Sequence, residues 1–176
     1  DSNRPMLIAA VRQAGAIPID LGLVKDLDED LSQILGDAVS KCDVIITSGG
    51  VSMGSHDLVK PTLERLGATI QFGRLRMKPG KPSTFATLRR GGEEKNDLLI
   101  FGLPGNPCSS LVIFKLLVEP ALRKMMGHVV THSSGGVKVR LETNISRDPV
   151  RDEYHRVILH KENSDVVATS TGVQRS

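Results

Sequence analysis

Three glycine- and proline-rich segments of this sequence combine backbone N–H groups, hydroxyls and cations in a way that suits an anion. They are residues 48–57 (Ser-Gly-Gly-Val-Ser-Met-Gly-Ser-His-Asp), 77–82 (Met-Lys-Pro-Gly-Lys-Pro) and 102–107 (Gly-Leu-Pro-Gly-Asn-Pro). The first and third each join an apolar run to a helical pattern, and such a loop presents N–H groups and a helix dipole to a phosphate. One loop of this kind is a weak sign, but three on an α/β scaffold predict a ligand site.

The second segment carries two cations. Lys78 and Lys81 are three residues apart across a Pro-Gly turn, near the sheet edge where open α/β folds bind ligands. Arg74 would lie on the same face as Lys78 if a strand over residues 68–77 keeps its period of two. These cations suit a multiply charged oxyanion or a pyrophosphate. The alternative is that both lysines are ordinary solvated turn residues.

Two carboxylates and three hydroxyls lie at or next to the loops. Asp57 and Asp26 could each be a helix cap. Beside a phosphate loop, either could instead hold Mg²⁺, which prefers one or two carboxylates together with phosphate oxygens and water. The hydroxyls of Ser48, Ser52 and Ser109 are placed to donate hydrogen bonds, although serine is common in any turn.

The histidines do not suggest a catalytic triad or a zinc site, because none has an obvious orienting partner in the sequence. They are His56, His128, His132, His155 and His160. We interpret His155 as a strand surface residue, and Arg156 as a further guanidinium that could reach an anion.

Apolar periodicity predicts an α/β protein. The helical patterns cover residues 1–15, 26–42, 57–66 and 106–126, and the strand patterns cover residues 17–24, 43–47, 68–77, 84–88 and 98–103. The run at 43–47 is continuously apolar, which is typical of a strand covered by helices on both faces.

After Gly127 the amino-acid composition changes. A Ser/Gly-rich stretch is followed by three runs in which β-branched residues alternate with polar ones, at residues 137–145, 154–160 and 166–171. Three strands alone are expected to form only a marginally stable sheet, so we expect an incomplete second domain. A doubly wound fold normally opens with a strand, whereas this chain opens with a helix. We therefore expect a fragment that lacks its first strand.

Composition limits the partners. The 176 residues are 39% hydrophobic and 24% charged, with a net charge of +3, one Tyr, four Phe and no Trp. Stacking platforms for nucleic acid are therefore scarce, and we expect no nucleic-acid partner. No apolar run approaches the ~20 residues of a membrane span. Cys42 and Cys108 lack metal-ligand spacing and are predicted to be buried free thiols in a reducing cytoplasm.

The combination and order of the motifs resemble the molybdopterin molybdotransferases, the MoeA proteins and the E domains of gephyrin and its plant counterpart. The motifs are residues 1–3 (Asp-Ser-Asn), 48–57, 78–82 (Lys-Pro-Gly-Lys-Pro), 103–107 (Leu-Pro-Gly-Asn-Pro) and 170–172 (Ser-Thr-Gly). The resemblance runs over the whole chain. It implies a three-layer α/β/α molybdopterin-binding domain like that of MogA at residues 1–127, a linker at 128–136, and the start of a small C-terminal β domain at 137–176.

The resemblance also implies a reaction, in molybdenum cofactor biosynthesis. Molybdate is inserted into the dithiolene of adenylylated molybdopterin, with Mg²⁺-dependent release of AMP. The implied partners are molybdopterin-AMP, molybdate and Mg²⁺, a second copy in a homodimer of the full-length protein, and an adenylyltransferase partner domain.

The site residues follow by similarity to the family. Molybdate would be cradled by Lys78, Lys81, Ser109, Arg156 and Ser176, with positive charge added by Arg74. The pterin-adenylate pocket would be formed by Ser48, Gly49, Gly50, Ser52, Pro104, Gly105, Asn106 and Pro107. Asp26 and Asp57 match acidic positions used for metal or catalysis, and Lys78 and Lys81 would also serve catalysis.

Departures and rival functions accompany the resemblance. The family often has Val at the position of Cys108, and His or Asn at the position of Val173. The family's N-terminal domains and first strand are absent from this sequence, so we expect this chain alone to be poorly active. The rivals are a gephyrin-like scaffold that binds receptor cytoplasmic loops and a MogA-type molybdopterin adenylyltransferase. The Lys78-Pro-Gly-Lys81 turn and the added β segment favour the insertase.

Overall fold

A computed structural model describes residues 1–24, 28–50, 58–90, 96–129 and 136–172. The helices are α1 (Asn3–Gln13), α2 (Asp28–Val39), α3 (Val59–Arg65), α4 (Pro107–Ile113) and α5 (Glu119–Met125), with a π-helical turn at Phe114–Val118 between the last two. The strands are β1 (Val44–Ser48), β2 (Thr69–Phe72), β3 (Met77–Lys78), β4 (Thr84–Leu88), β5 (Leu98–Leu103), β6 (Arg140–Leu141), β7 (Asp152–Glu153), β8 (Val157–Glu162) and β9 (Asp165–Ser170).

Four strands form the main sheet, in the order β1-β5-β4-β2. β1 and β5 are parallel and pair from Val44↔Leu99 to Ser48↔Leu103. β4 is antiparallel to both β5 and β2. The parallel pair brings the carboxyl ends of β1 and β5 to the same edge of the sheet.

Helices cover both faces of this sheet, because its strands alternate their apolar side chains. In β5, Leu98 and Ile100 pack into a cluster that includes Leu63 of α3 and side chains of α2. Phe101 and Leu103 pack on the other side, against α1, α4 and the π-helical turn. The predicted three-layer α/β/α architecture is confirmed.

The long C-terminal helical region was predicted as one helix over residues 106–126 and is interrupted in its middle. Pro120 lies in the first turn of α5 and has no backbone N–H to donate to the preceding turn. The π-helical turn at Phe114–Val118 stands immediately before it, and one widened turn accommodates the lost hydrogen bond.

The predicted strand at residues 17–24 does not form. A strand exists by pairing with a neighbour, and the sheets contain no pairing for this segment. Ile17, Ile19 and Leu23 are 91%, 54% and 68% exposed. The segment is attached to α1 through a bidentate Arg4–Asp20 ion pair, at 2.7 Å from Arg4 Nη2 to Asp20 Oδ2, which lowers the pKa of Asp20.

The predicted strand at residues 68–77 is divided in two. β2 ends at Phe72, where its pairing with β4 shifts in register, and β3 begins only at Met77. Arg74 is exposed in the irregular stretch between them. The period-of-two argument that placed Arg74 on the face of Lys78 is therefore wrong.

The C-terminal β segment forms two small sheets. One has the order β6-β9-β8, and the other pairs β7 with β3 of the α/β region. Of the predicted run 137–145, only Arg140–Leu141 is a strand, and the run at 154–160 is displaced to β8. In the three-stranded sheet, Val167 and Ala168 are buried.

The two cysteines are free and partly buried, less so than the sequence predicted. Burial raises the pKa of the Cys42 thiol, so it has little thiolate character.

The sheet centre should dominate stability. Ile100 in β5 is 1% exposed, and we expect Ile100→Ala to lower the free energy of unfolding by about 2–5 kcal/mol through lost burial and a residual cavity. Urea unfolding followed by circular dichroism measures this. The matched control, Ile158→Ala in β8, removes an isoleucine that is 61% exposed and should change stability by no more than about 0.5 kcal/mol. Equal losses in both variants would contradict the assignment of the core.

Candidate functional site

Two of the three loop segments meet at one edge of the sheet. Ser48 ends β1 opposite Leu103, which ends β5, and the Gly49 N–H donates to the Leu103 carbonyl at 2.9 Å. A Cβ built on Gly105 would lie only 3.7 Å from the Gly49 Cα. The first and third segments are therefore neighbours at the carboxyl end of parallel strands, the usual ligand position in α/β folds.

Asn3, at the start of α1, fastens these two loops together. Its Nδ2 donates to Ser48 Oγ at 2.7 Å and to the Gly105 carbonyl at 2.8 Å. The side chain is almost fully buried. Asp1 Oδ1 accepts a hydrogen bond from the Asn3 N–H at 3.0 Å. The contacts of Asn3 with both loops arise from the tertiary fold, so the local sequence does not predict them.

The glycine pair after β1 is required by backbone geometry. Gly49 and Gly50 have φ angles of +92° and +66°, a region that side chains rarely adopt. A Cβ on Gly50 would also approach Val59 Cγ2 to 3.0 Å. The two glycines therefore set the course of the chain from β1 into the loop.

The third segment ends in a capped helix. Asn106 is the N-cap of α4, and its Oδ1 accepts from the Cys108 N–H at 3.0 Å and the Ser109 N–H at 3.2 Å. Pro107 is the first helical residue, where its missing N–H costs nothing. Pro104 and Ser109 are buried, whereas Gly105, Asn106 and Pro107 are exposed. The exposed face of this segment is thus the rim of the site.

The lysine turn packs against α4. The Lys78–Pro79 peptide bond is cis, and Gly80 has φ +108°. A Cβ on Gly80 would lie 2.5 Å from Ile113 Cδ1, so the backbone of the turn touches this helix directly. Ser83 Oγ donates to the Gly80 carbonyl at 2.6 Å. Because Asn106 starts the same helix, α4 connects the lysine turn to the third segment.

The C-terminal β segment joins the site through Lys78. β3 and β7 are parallel with Lys78↔Glu153 in register, and the Tyr154 N–H donates to the Lys78 carbonyl at 2.8 Å. The Lys78 ammonium lies 3.3 Å from Glu153 Oε1. The local sequence does not indicate that Glu153 lies near Lys78, because their proximity depends on a strand pairing between residues 75 positions apart.

His155 was interpreted as a strand surface residue, and that interpretation is wrong. Its side chain is 19% exposed, with Nδ1 3.9 Å from Glu153 Oε1. Its Nε2 is 2.9 Å from Ser170 Oγ. The neighbouring Arg156 is held through its carbonyl, which accepts from the Thr171 N–H at 3.3 Å and from Thr171 Oγ1 at 3.2 Å.

A tight turn at residues 148–151 leads into β7. Asp148 Oδ1 accepts from the Val150 and Arg151 N–H groups at 3.0 and 2.9 Å, and Arg151 Nη2 is 2.7 Å from Asp148 Oδ2. These hydrogen bonds lower the pKa of Asp148 from 3.8 to about 2. The turn fixes the entry of the chain into the strand that carries Glu153.

Comparison with known families identifies both parts of the chain. Residues 1–124 match the family described as "Probable molybdopterin binding domain", and residues 138–176 match the "MoeA C-terminal region (domain IV)". The chain belongs to the MoeA family.

Individual relatives agree with this family. The chain is 43% identical over 172 residues to gephyrin of Dictyostelium discoideum, covering 89% of this chain and 24% of the relative. It is 39% identical over 160 residues to a molybdopterin molybdenumtransferase of Nostoc, covering 91% and 36%. The solved molybdopterin biosynthesis moeA protein of Pyrococcus horikoshii superposes with a TM-score of 0.68 at 25% identity, covering 99% and 37%. The chain thus spans about a quarter to two fifths of these proteins.

Within this MoeA-family chain, the predicted site residues fall into three groups. The first group lies where the two glycine loops meet and continues into α4. It contains Ser48, Gly49, Gly50, Pro104, Gly105, Asn106, Pro107 and Ser109. Lys78 and Lys81 lie in the turn on α4, and Lys81 is exposed. Arg74 stands apart in the irregular stretch before β3, and Arg156 immediately precedes β8.

Four predicted site residues lie outside the described residues: Asp26, Ser52, Asp57 and Ser176. Within the described ranges, no group of three His, Cys, Asp or Glu side chains could hold a metal ion. No helix in the same ranges is long and apolar enough to cross a membrane.

Asn3 should be essential for the junction of the two glycine loops. We expect Asn3→Ala to lower the free energy of unfolding by about 1–3 kcal/mol, because two partly buried hydrogen bonds to Ser48 and Gly105 are lost. Thermal and urea unfolding test this. The control Asn96→Ala changes an exposed asparagine and should leave stability unchanged; an Asn3 variant as stable as that control would contradict the role of Asn3.

The Asp148 turn predicts a pH dependence. The pKa of Asp148 is lowered to about 2 in the folded protein, so its contribution to stability is present above about pH 4 and is lost as the pH falls toward 2. The stability difference between wild type and Asp148→Asn should therefore be constant above about pH 5 and shrink below pH 4. Denaturant unfolding at each pH measures it. A difference that grew on acidification would refute the assignment.

Proposed function

We propose that this chain is the pterin-binding part of a molybdenum insertase, which transfers molybdenum from molybdate to adenylylated molybdopterin and releases AMP. The observation that carries the proposal is the Lys78–Lys81 turn, whose backbone packs against α4, the helix that begins at the third glycine-containing segment. The relatives named molybdopterin molybdenumtransferases support it.

The glycine loops are proposed to bind the pterin adenylate. With no side chain at Gly49, Gly50 and Gly105, a phosphate can approach the backbone closely. The Cys108 and Ser109 N–H groups are already engaged by Asn106, so the α4 N-terminus contributes its dipole more than free donors. We assign Ser48, Ser52, Pro104, Asn106 and Pro107 to the walls of this pocket.

The lysine turn is proposed to bind molybdate. Two ammonium groups on one turn provide the charge that a dianion needs. At about 4 Å, each unit-charge attraction near a protein surface is worth about 4 kcal/mol. Ser109, Arg156 and Ser176 complete the proposed cradle, and Arg74 contributes at longer range. Such fixed cations stabilise charge without acid–base steps.

Mg²⁺ is proposed as the metal of the reaction, held by Asp26 and Asp57. When bound, it would offset the charge that develops on the leaving phosphate. Both aspartates lie outside the described residues, so we derive no step through the metal.

The remaining partners are proposed from the family. We propose a homodimer of the full-length protein, in cooperation with an adenylyltransferase domain, in a reducing cytoplasm consistent with the free thiols of Cys42 and Cys108. Since the chain spans only part of its relatives, we expect it to bind its ligands but to have a low turnover rate by itself.

Two rival functions are less favoured. A stand-alone adenylyltransferase is less favoured because residues 138–176 match the MoeA C-terminal region. A purely scaffolding role is less favoured because several relatives are named as transferases.

The decisive experiment is molybdate binding by calorimetry. We expect Lys78→Ala with Lys81→Ala to weaken binding at least roughly 100-fold, since each of the two charged hydrogen bonds contributes about 1.5–3 kcal/mol. The matched control is Lys138→Ala with Lys161→Ala, two exposed lysines of the C-terminal segment, which should bind as wild type does. Unchanged molybdate affinity in the Lys78 and Lys81 variant would refute the assigned role.

A further inference from the structure

Four side chains form a series that reaches from the C-terminal sheet to the lysine turn. Ser170 Oγ contacts His155 Nε2 at 2.9 Å. His155 Nδ1 lies 3.9 Å from Glu153 Oε1, and the same oxygen lies 3.3 Å from Lys78 Nζ. The side chains of Lys78, Glu153 and His155 are 26%, 16% and 19% exposed. Apart from Lys78, none of these residues has a part in the proposed function.

The position of Glu153 is fixed by its backbone. The Asp152 N–H donates to the Arg76 carbonyl at 3.2 Å, and the Tyr154 N–H donates to the Lys78 carbonyl at 2.8 Å. The Asp148 turn anchors the chain just upstream of β7. The β3–β7 pairing therefore fixes the backbone of Glu153 next to that of Lys78.

We propose that Glu153 is a tuning residue for Lys78: it holds the ammonium in place and lowers its affinity for an oxyanion. Where it concerns molybdate, the inference rests on the proposed function. The 3.3 Å separation is longer than the 2.7–2.9 Å of a tight charged hydrogen bond. Because an ammonium has three N–H donors, Lys78 can face a second anion while Glu153 remains beside it.

Two opposing effects of the carboxylate decide the sign of this tuning. By ordering the lysine in advance, Glu153 favours anion binding by about one order of magnitude at most. By repelling a nearby dianion at the effective dielectric constant of a protein surface, it disfavours binding by about two orders of magnitude or more. Repulsion is the larger effect, so the net role of Glu153 is to weaken binding.

Weak binding suits a protein that passes its oxyanion on. An interaction that is equally strong in the ground state and in the transition state lowers KM but does not accelerate the chemical step. A carboxylate that reduces the ground-state attraction of Lys78 leaves the bound oxyanion easier to transfer.

The first test is molybdate affinity in a double-mutant cycle. Glu153→Gln keeps the shape and an oxygen acceptor but removes the charge, and we expect it to bind molybdate roughly tenfold more tightly than wild type. In a Lys78→Met background, the same substitution should tighten binding by clearly less than in wild type, because only the direct repulsion of the oxyanion by Glu153 is left to remove. Glu162→Gln, which removes the carboxylate that pairs with Arg140 in the same β segment, should bind as wild type. Unchanged or weaker binding by Glu153→Gln overturns the proposal.

The second test does not depend on molybdate. Amine acylation measured by mass spectrometry reports how well the Lys78 ammonium is shielded, with the exposed Lys161 as an internal reference. We expect Lys78 to react several-fold faster in Glu153→Gln than in wild type or Glu162→Gln; an equal rate overturns the pairing. If the wild type binds no molybdate, the proposed function fails, and this measurement still decides whether Glu153 restrains Lys78.

Discussion

The parallel pairing of β1 with β5 is the constraint on which the rest of the site depends. It brings two chain segments that are more than fifty residues apart to the same sheet edge, with Ser48 opposite Leu103. Hydrophobic layers on both faces hold the pair in register, since a slip by one residue would turn Leu98 and Ile100 to the wrong face. Asn3 then closes the junction with two buried hydrogen bonds.

A second, more local constraint places the cations. Gly80 touches Ile113 so closely that no side chain fits between the lysine turn and α4. The C-terminal segment, by contrast, meets this turn through the short β3–β7 ladder and the Lys78–Glu153 ion pair. Its three-stranded sheet has its own small buried centre at Val167 and Ala168. The backbone of the lysine turn is therefore held by the α/β layers, while the C-terminal segment places a carboxylate beside Lys78.

The sequence was sufficient to predict the layers, because strands at residues 84–88 and 98–103 and the amphipathic helices leave strong periodic signals. It failed at residues 17–24, where alternating apolar side chains predicted a strand but the structure provides no pairing partner. Local patterns predicted the glycine loops and the lysine turn. They could not predict Asn3 or Glu153 as neighbours of the site, since both contacts depend on the tertiary arrangement of distant segments.

Charge pairing leaves this chain with a net charge of only +3. Several cations are already matched by carboxylates: Arg4 by Asp20, Arg151 by Asp148, and Arg140 by Glu162. Such pairs reduce the long-range field on which nonspecific binding to polyanions depends. Selectivity for a small anion then depends on short-range geometry. The attraction of an anion to a lysine varies more steeply with the anion's position when a carboxylate lies beside that lysine than when the lysine is isolated. A carboxylate beside Lys78 should therefore favour a ligand that fits the turn over one that is merely negatively charged.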